Sequence, residues 1–268
     1  MDTNFFKVIS YNIYKGFTNE AEEDLLSGDE RKQLISEWLQ EVKPDVVAFQ
    51  ELNGYTYQKL EQESRAWKHP HTSVLYGKSD FRVGISSRHP IEVQAQIFQD
   101  MWHGLLHVST GGVEVIVTHF SPFEYQKRHQ EVDIALQQLQ EARQRGKELL
   151  LMGDLNSLSP DDAEAIEKTD IIETYARHEQ EKEHIQNLKD GQPDYETIRK
   201  LKEADLTDVQ VQQRVQTPTL PMPRLDYIWA TEGLAKHCTE AEWHTGERFA
   251  VMSDHYPVSA TFQAVFSS

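Results

Sequence analysis

Short runs of β-branched and aromatic residues recur along the chain, and several of them carry an unusual polar residue at one tip. FFKVISYN (Phe5–Asn12) ends in Asn12, and DVVAFQ (Asp45–Gln50) is followed by Glu51. VEVIVTH ends in His119, and LLLMGDLN carries Asp154 and Asn156. RLDYIW places Asp226 at a strand start, while Asp254 and His255 precede the last run. Runs this short and this apolar suit strands buried within layers. Loops at strand ends are where scaffolds place chemistry, so the pattern predicts a layered body with one polar rim.

The intervening segments fill in the layers. Glu30–Val42 sets Leu34, Ile35, Trp38, Leu39 and Val42 at helical spacing, and Pro44 follows as a stop. Arg82–Ser87, Ile91–Phe98, Gly104–Ser109 and Val113–His119 read as an antiparallel series, with Gly111-Gly112 as a hairpin turn. Gln126–Arg145 is a long amphipathic helix with Gly146 placed to cap it. Glu148–Met152 is a buried strand, and Leu225–Trp229 and Tyr256–Phe262 are the last strands. Between Asp161 and Arg214 the chain carries 15 acidic against 8 basic residues, with one helix expected at Tyr195–Ala204. That stretch reads as a helical, solvated excursion. No Gly/Pro/Ser-rich linker and no internal repeat interrupts the sequence, so residues 1–268 are expected to form one domain. Alternation of helix and strand at first, then antiparallel strands, points to an α/β layered sandwich.

Composition narrows the function classes. Of 268 residues, 38% are hydrophobic and 10% aromatic, enough for a sizeable core and too many for a disordered chain. No run approaches the roughly 18 to 20 consecutive apolar residues of a membrane span. Met1-Asp2-Thr3-Asn4 lacks the basic start of a secretory signal, and Cys238 is a lone cysteine, so a reducing cytoplasm is the expected compartment. Asp and Glu outnumber Lys and Arg by 44 to 27, a net charge of −17, which leaves no obvious basic patch for gripping a duplex.

Each polar tip has a mundane explanation on its own. Asn12, Asn156 and Asp254 are ordinary turn formers, Glu51 could be a solvated charge, and Asp226 could pair with Arg224. His119 and His255 could be hydrogen-bonded structural histidines. Repetition at strand after strand is what those explanations leave unexplained. Asn, Glu, Asp and His without cysteine make a hard, oxygen-rich set suited to Mg²⁺ or Mn²⁺ rather than structural zinc. Beside such an ion, a carboxylate can activate water and a histidine can stabilise charge developing on phosphorus. Metal-assisted hydrolysis of a phosphate ester is the chemistry these residues suggest.

The order of the motifs also resembles a known family. VISYNIYKG (Val8–Gly16), PDVVAFQEL (Pro44–Leu52), GISSRHPI (Gly84–Ile91), VTHFSP (Val117–Pro122), GDLNS (Gly153–Ser157), RLDYIW (Arg224–Trp229) and SDHYPV (Ser253–Val258) together are similar to the endonuclease/exonuclease/phosphatase family, which shares the pancreatic deoxyribonuclease fold. The resemblance implies a four-layer α/β sandwich, two packed mixed β-sheets with helices on the outside. It implies a metal site at Glu51 with Asn12 beside it and Asp254 nearby. It implies catalytic roles for Asp154 (on water), Asn156 (on phosphate), His255 (against phosphate), Asp226 (orienting His255) and His119 (near phosphate or leaving group). Some branches add a carboxylate two residues after the first asparagine; here that position is Tyr14.

Substrates in the family range from nucleic acids to lipid headgroups and small phosphodiesters. Arg128 is a candidate phosphate contact, and Phe123 and Phe249 are candidates for stacking on a base or holding an acyl chain. Trp102, His103 and His107 could form a substrate wall, but strand alternation favours exposed strand residues. The absence of a basic arm and of a membrane-entering hairpin favours a monomeric phosphodiesterase acting on a small molecule or single-stranded nucleic acid. The alternatives are a phosphomonoesterase on an inositol-phosphate-like headgroup, a DNA or RNA nuclease, and a non-enzymatic binding module on the same fold.

Overall fold

The computed structural model describes residues 5–18, 24–215 and 223–263. The first strands are β1 (Phe5–Asn12), β2 (Val46–Gln50), β3 (His71–Val74) and β4 (Gly84–Ser87). Next come β5 (Glu92–Ile97), β6 (Leu105–Thr110), β7 (Val113–His119) and β8 (Leu149–Asp154). A two-residue hairpin, β9 (Leu188–Lys189) and β10 (Gln192–Pro193), is followed by β11 (Leu206–Asp208), β12 (Asp226–Thr231), β13 (Cys238–Trp243) and β14 (Val258–Gln263). Two six-stranded mixed sheets result, ordered β13-β14-β1-β2-β4-β3 and β11-β12-β8-β7-β6-β5.

Side-chain alternation explains why the sheets stack. Along β1, Val8 turns into a core shared with Val115, Val117, Leu150, Met152 and Ile228 of the other sheet. Its neighbours Ile9 and Tyr11 turn the opposite way, onto Ile35, Trp38 and Leu39 of α1 (Gly28–Val42) and Leu60 of α2 (Tyr57–Ser64). The second sheet repeats the device: Ile116, Leu151 and Trp229 meet Val132, Ala135 and Leu139 of α3 (Tyr125–Gln144). Both faces of both sheets are covered, which is why the strands read as continuous apolar runs. The four-layer α/β sandwich is thus the observed fold, with an apolar layer between the sheets and one outside each.

Local signals act as the sequence predicts. α1 stops at Val42, with Lys43 left-handed just before Pro44, and it starts two residues before the expected Glu30, on a reciprocal Ser27–Glu30 capping box that the sequence reading passed over. Gly111 and Gly112 both take positive φ and join Thr110 to its partner Val113 in the β6–β7 hairpin.

Two expectations need correction. Residues 82–87 do not begin a series with the strands that follow: β4 pairs with β2 and β3, whereas β5 pairs with β6 in the other sheet. The chain changes sheets between Ser87 and Glu92, a step that apolar patterning does not register. The acidic stretch from Asp161 to Arg214 is also more than a solvated excursion. Its helix Glu196–Glu203 sends Ile198 and Leu201 into the outer core, and β11 forms the edge of the second sheet. Buried Arg224 ties it down by pairing with Asp162 at 3.0 Å and Asp208 at 2.7 Å. No helix among the described residues is long and apolar enough to cross a membrane.

Candidate active site

Topology gathers the polar tips. Each sheet contains one parallel pair at its middle, β1 with β2 and β7 with β8. Parallel neighbours finish on the same side, so Asn12 lies beside Gln50 with Glu51 next in the chain, and His119 lies beside Asp154. The flanking strands run antiparallel, so their starts meet those ends. Asp226, first residue of β12, pairs in register with Asp154, and His255 sits in the turn that leads into β14 beside β1.

Asp154 is the centre of the resulting cluster. Asn12 Nδ2 donates to Asp154 Oδ2 at 3.1 Å and to Glu51 Oε1 at 3.2 Å, linking the two sheets through one amide. His119 Nε2 and His255 Nε2 lie 3.4 and 3.6 Å from the same Asp154 oxygen. The other oxygen accepts the Asn156 backbone N–H at 2.9 Å. Asp226 Oδ2 meets His255 Nδ1 at 2.7 Å, which fixes the imidazole and leaves Nε2 facing Asp154. Asn156 Nδ2 donates to the Phe120 carbonyl, and Lys15 N–H donates to Glu51 Oε2 at 2.8 Å. Glu51 and Asn156 both adopt left-handed backbone conformations, with φ of 59° and 47°, the kind of strain that clusters at functional sites.

Burial and neighbouring charge set the ionisation of these groups. Burial pushes the Glu51 and Asp154 carboxyls above the usual carboxylate range. It also pulls His119 well below the ordinary imidazole value, helped by His103 and His255, so His119 is neutral. His255 goes the other way: burial disfavours its charge, but Asp226, Asp154 and Asp254 outweigh it and hold an imidazolium.

Two donor sets could receive a divalent cation. Ligating atoms of Asp154, Asp226 and His255 lie within 4.8 Å of one another, and Asp226 Oδ1 is buried without a partner. However, His255 already occupies Asp226 and carries positive charge, which repels a cation from that side. Glu51 and Asp254 line the cleft with carboxylate oxygens and Glu51 has no cationic side chain hydrogen-bonded to it, while Asn12 beside them turns Nδ2 to Glu51 and Oδ1 to the Tyr14 N–H. A hard ion such as Mg²⁺ or Mn²⁺ fits this second set.

A cleft of about 750 Å³ opens over the cluster and is lined by Glu51, His119, Asp154, Asn156, Asp254 and His255. Asn12 and Asp226 support it from beneath, both buried. Phe123 also lines the cleft, as do Trp102 and His103. The remaining expected contacts lie elsewhere. Arg128 is buried in α3, donating to the Ser121 carbonyl at 3.1 Å and Asn187 Oδ1 at 2.8 Å, and is outside the cleft lining. Phe249 packs edge-on against Trp38 at 5.1 Å, away from the cleft. His107 is fully buried rather than exposed, held between Glu114 at 2.8 Å and Gln138 at 3.1 Å, and His103 is buried too. Strand alternation failed for His107 because both faces of the sheet are covered there, and His103 precedes β6 and belongs to no strand.

Sequence reasoning passed over Arg31. Its guanidinium, fully buried, donates to the carbonyls of Ile13, Tyr14, Thr18 and Met252. It therefore clamps the loop that holds Glu51 to the segment that leads into Asp254 and His255. On a helical wheel it falls on the apolar stripe, four residues before Ile35 and seven before Trp38, and a charge on that face is the signal that could have found it.

No curated protein matches the sequence significantly. Among solved structures, an endonuclease/exonuclease/phosphatase from Beutenbergia cavernae is 18% identical with a TM-score of 0.68, covering 97% of this chain and 72% of that one. An AP endonuclease from Archaeoglobus fulgidus is 19% identical with a TM-score of 0.64, covering 97% and 100%. D. rerio TDP2 complexed with single-strand DNA product is 18% identical with a TM-score of 0.62, covering 97% and 99%. The sequence model of the Endonuclease/Exonuclease/phosphatase family matches residues 9–255. From the first strand to the histidine before the last, the chain belongs to the endonuclease/exonuclease/phosphatase family.

Proposed function

We propose that this protein is a divalent-metal-dependent phosphodiesterase that splits its substrate by in-line attack of water on phosphorus. The observation that carries the reading is the environment of Asp154, a buried carboxylate shared by Asn12, His119 and His255 at the floor of an open cleft. Asp154 orients the attacking water and accepts its proton. Asn12 and the Asn156 backbone N–H hold that carboxylate in place, while the Asn156 side chain positions the phosphate. His255, kept charged by Asp226, donates to a phosphoryl oxygen as negative charge spreads in the transition state. Neutral His119, 3.4 Å from the same Asp154 oxygen, contacts the phosphate or assists the leaving oxygen. Glu51 and Asp254, with Asn12 beside them, would hold Mg²⁺ or Mn²⁺, which would supply positive charge to offset that developing on the phosphoryl group.

The products are a phosphomonoester and an alcohol, and no covalent protein intermediate is needed. Every residue in the scheme comes from one chain, so a monomer suffices. The similar AP endonuclease and the DNA-product complex of TDP2 support phosphodiester substrates. The net charge of −17 favours a small or single-stranded substrate over a long duplex, and lone Cys238 is compatible with the cytoplasm. The test is hydrolysis of bis(p-nitrophenyl) phosphate and of p-nitrophenyl phosphate in Mg²⁺ or Mn²⁺, with and without EDTA. Turnover of the diester that EDTA abolishes is expected. Preference for the monoester would favour a phosphomonoesterase instead, and inactivity of metal-loaded protein on both would favour a binding module.

A further inference from the structure

One wall of the cleft consists of rings. His119, 3.4 Å from Asp154, stacks on His103 with centroids 4.2 Å apart and planes inclined by 23°. His103 meets Trp102 edge-on at 6.5 Å, and Trp102 meets Phe123 edge-on at 5.1 Å. Phe81 packs against His103 at 5.4 Å from the opposite side. The wall thus runs without a break from the group nearest the reacting centre to the mouth of the cleft. Trp102 stands there 46% exposed, open to a ligand in the cleft.

The wall is also held rigid from behind. Buried Glu131 accepts the backbone N–H of Trp102 at 2.6 Å and of Ser121 at 2.7 Å, so one carboxylate fixes both ring-bearing loops. Arg128 holds the Ser121 carbonyl, and Lys127 holds the Asp100 carbonyl at 3.0 Å. Ser79 fixes the His103 ring through a 3.0 Å contact to Nδ1. Three residues of α3 therefore serve to present Trp102 and Phe123 in a fixed geometry, which lowers the entropy lost when a ligand settles on them.

We infer that Trp102 and Phe123 form a base subsite, so that the substrate is a nucleotidyl phosphodiester whose unpaired base lies on this wall. The inference rests on the phosphodiesterase reading and adds the group attached to the phosphorus. Base-on-aromatic stacking tolerates any base, because every base has a π face. A base also has polar edges, which Ser79 and Lys78 on the same wall can satisfy. An alkyl chain would be better served by an enclosed aliphatic slot than by open ring edges rimmed with imidazoles and an ammonium. A duplex is disfavoured because its bases already have both faces covered. Among the described residues that line the cleft, Lys78 is the one Lys or Arg, so the site offers little grip on a long polyanion. One nucleotide or a short single strand is the substrate this wall suits.

The test compares three esters with the same leaving group: thymidine 5′-(p-nitrophenyl phosphate), methyl p-nitrophenyl phosphate and octyl p-nitrophenyl phosphate. The wild-type protein is expected to prefer the thymidine ester over the methyl ester by tenfold or more in kcat/KM, mainly through KM. Trp102→Ala should shrink that ratio towards one, and Trp102→Phe, which keeps a stacking face, should retain most of it. No preference in the wild type, a ratio that survives Trp102→Ala, or equal preference for the octyl ester would overturn the base subsite. Failure to hydrolyse any ester would remove the phosphodiesterase reading instead. Calorimetric titration with thymidine 5′-phosphate then still decides: binding weakened tenfold by Trp102→Ala supports the subsite, and no binding or equal binding overturns it.

Discussion

A single amide joins the halves of the site: Asn12 ends a strand of one sheet and reaches Asp154 of the other. Its position at a strand tip was legible in the sequence, as were those of Glu51, His119, Asp154, Asp226 and His255. What was not legible is conformation. The left-handed backbone at Glu51 depends on the loops around it and a glutamate does not announce it, whereas Asn156 is of a residue type that tolerates that conformation. Burial of His69 was equally invisible, since its neighbours in sequence are Lys68 and Pro70. The ring lies between the Pro44 carbonyl at 2.8 Å and Ser86 Oγ at 2.9 Å, and burial pulls its pKa down to about 4. Because the folded value lies below the ordinary 6.5, the unfolded chain binds the extra proton first. This histidine's contribution is therefore fully present above pH 6.5 and is lost as pH falls towards 4, by about 3 kcal/mol. In urea titrations, His69→Gln should lose less stability than the wild type between pH 7 and 4 by that margin. Parallel pH curves for the two proteins would contradict it.

At the scale of elements, the parallel pairs decide where chemistry sits. A run such as VEVIVTH shows that a strand exists and which end is polar, but not that it runs parallel to β8. That pairing turns two separate tips, His119 and Asp154, into neighbours. The crossing of β4 into the first sheet was misread for the same reason: patterning reports burial, not partners. Gly153 is where this pairing leaves a trace in the sequence. At its φ of 151°, an added Cβ would lie 1.9 Å from the Thr118 carbonyl oxygen on β7. Gly153→Ala should therefore push β7 and β8 apart and cost about 3 kcal/mol in urea denaturation, with activity falling alongside. An alanine variant as stable as the wild type would show that the strands do not approach so closely.

For the whole molecule, the two packed sheets act as jaws that each contribute half the site, with Glu51 and His255 from one and Asp154, Asp226 and His119 from the other. A cation at the proposed site of Glu51, Asn12 and Asp254 would stabilise the folded state by mass action, about 2.7 kcal/mol at a hundred times its Kd. In a chain of this size that is a rise in Tm of roughly 5 °C or more. Glu51→Gln should abolish the rise with Mn²⁺, and an undiminished shift would place the ion elsewhere. The layers were legible because both faces of the central strands are apolar, and Trp102, His103 and Phe123 were legible as candidate substrate contacts, but not that rings from separate loops meet in one wall. The central claim is that these residues act as one hydrolytic unit, and the most direct measurement is a double-mutant cycle on bis(p-nitrophenyl) phosphate. Asp154→Asn and His255→Gln should each lower kcat/KM by roughly 100- to 10 000-fold. The double variant should be little worse than the poorer single one, because removing either member already disables the unit. Losses that multiply, or a single variant as active as the wild type, would contradict the account.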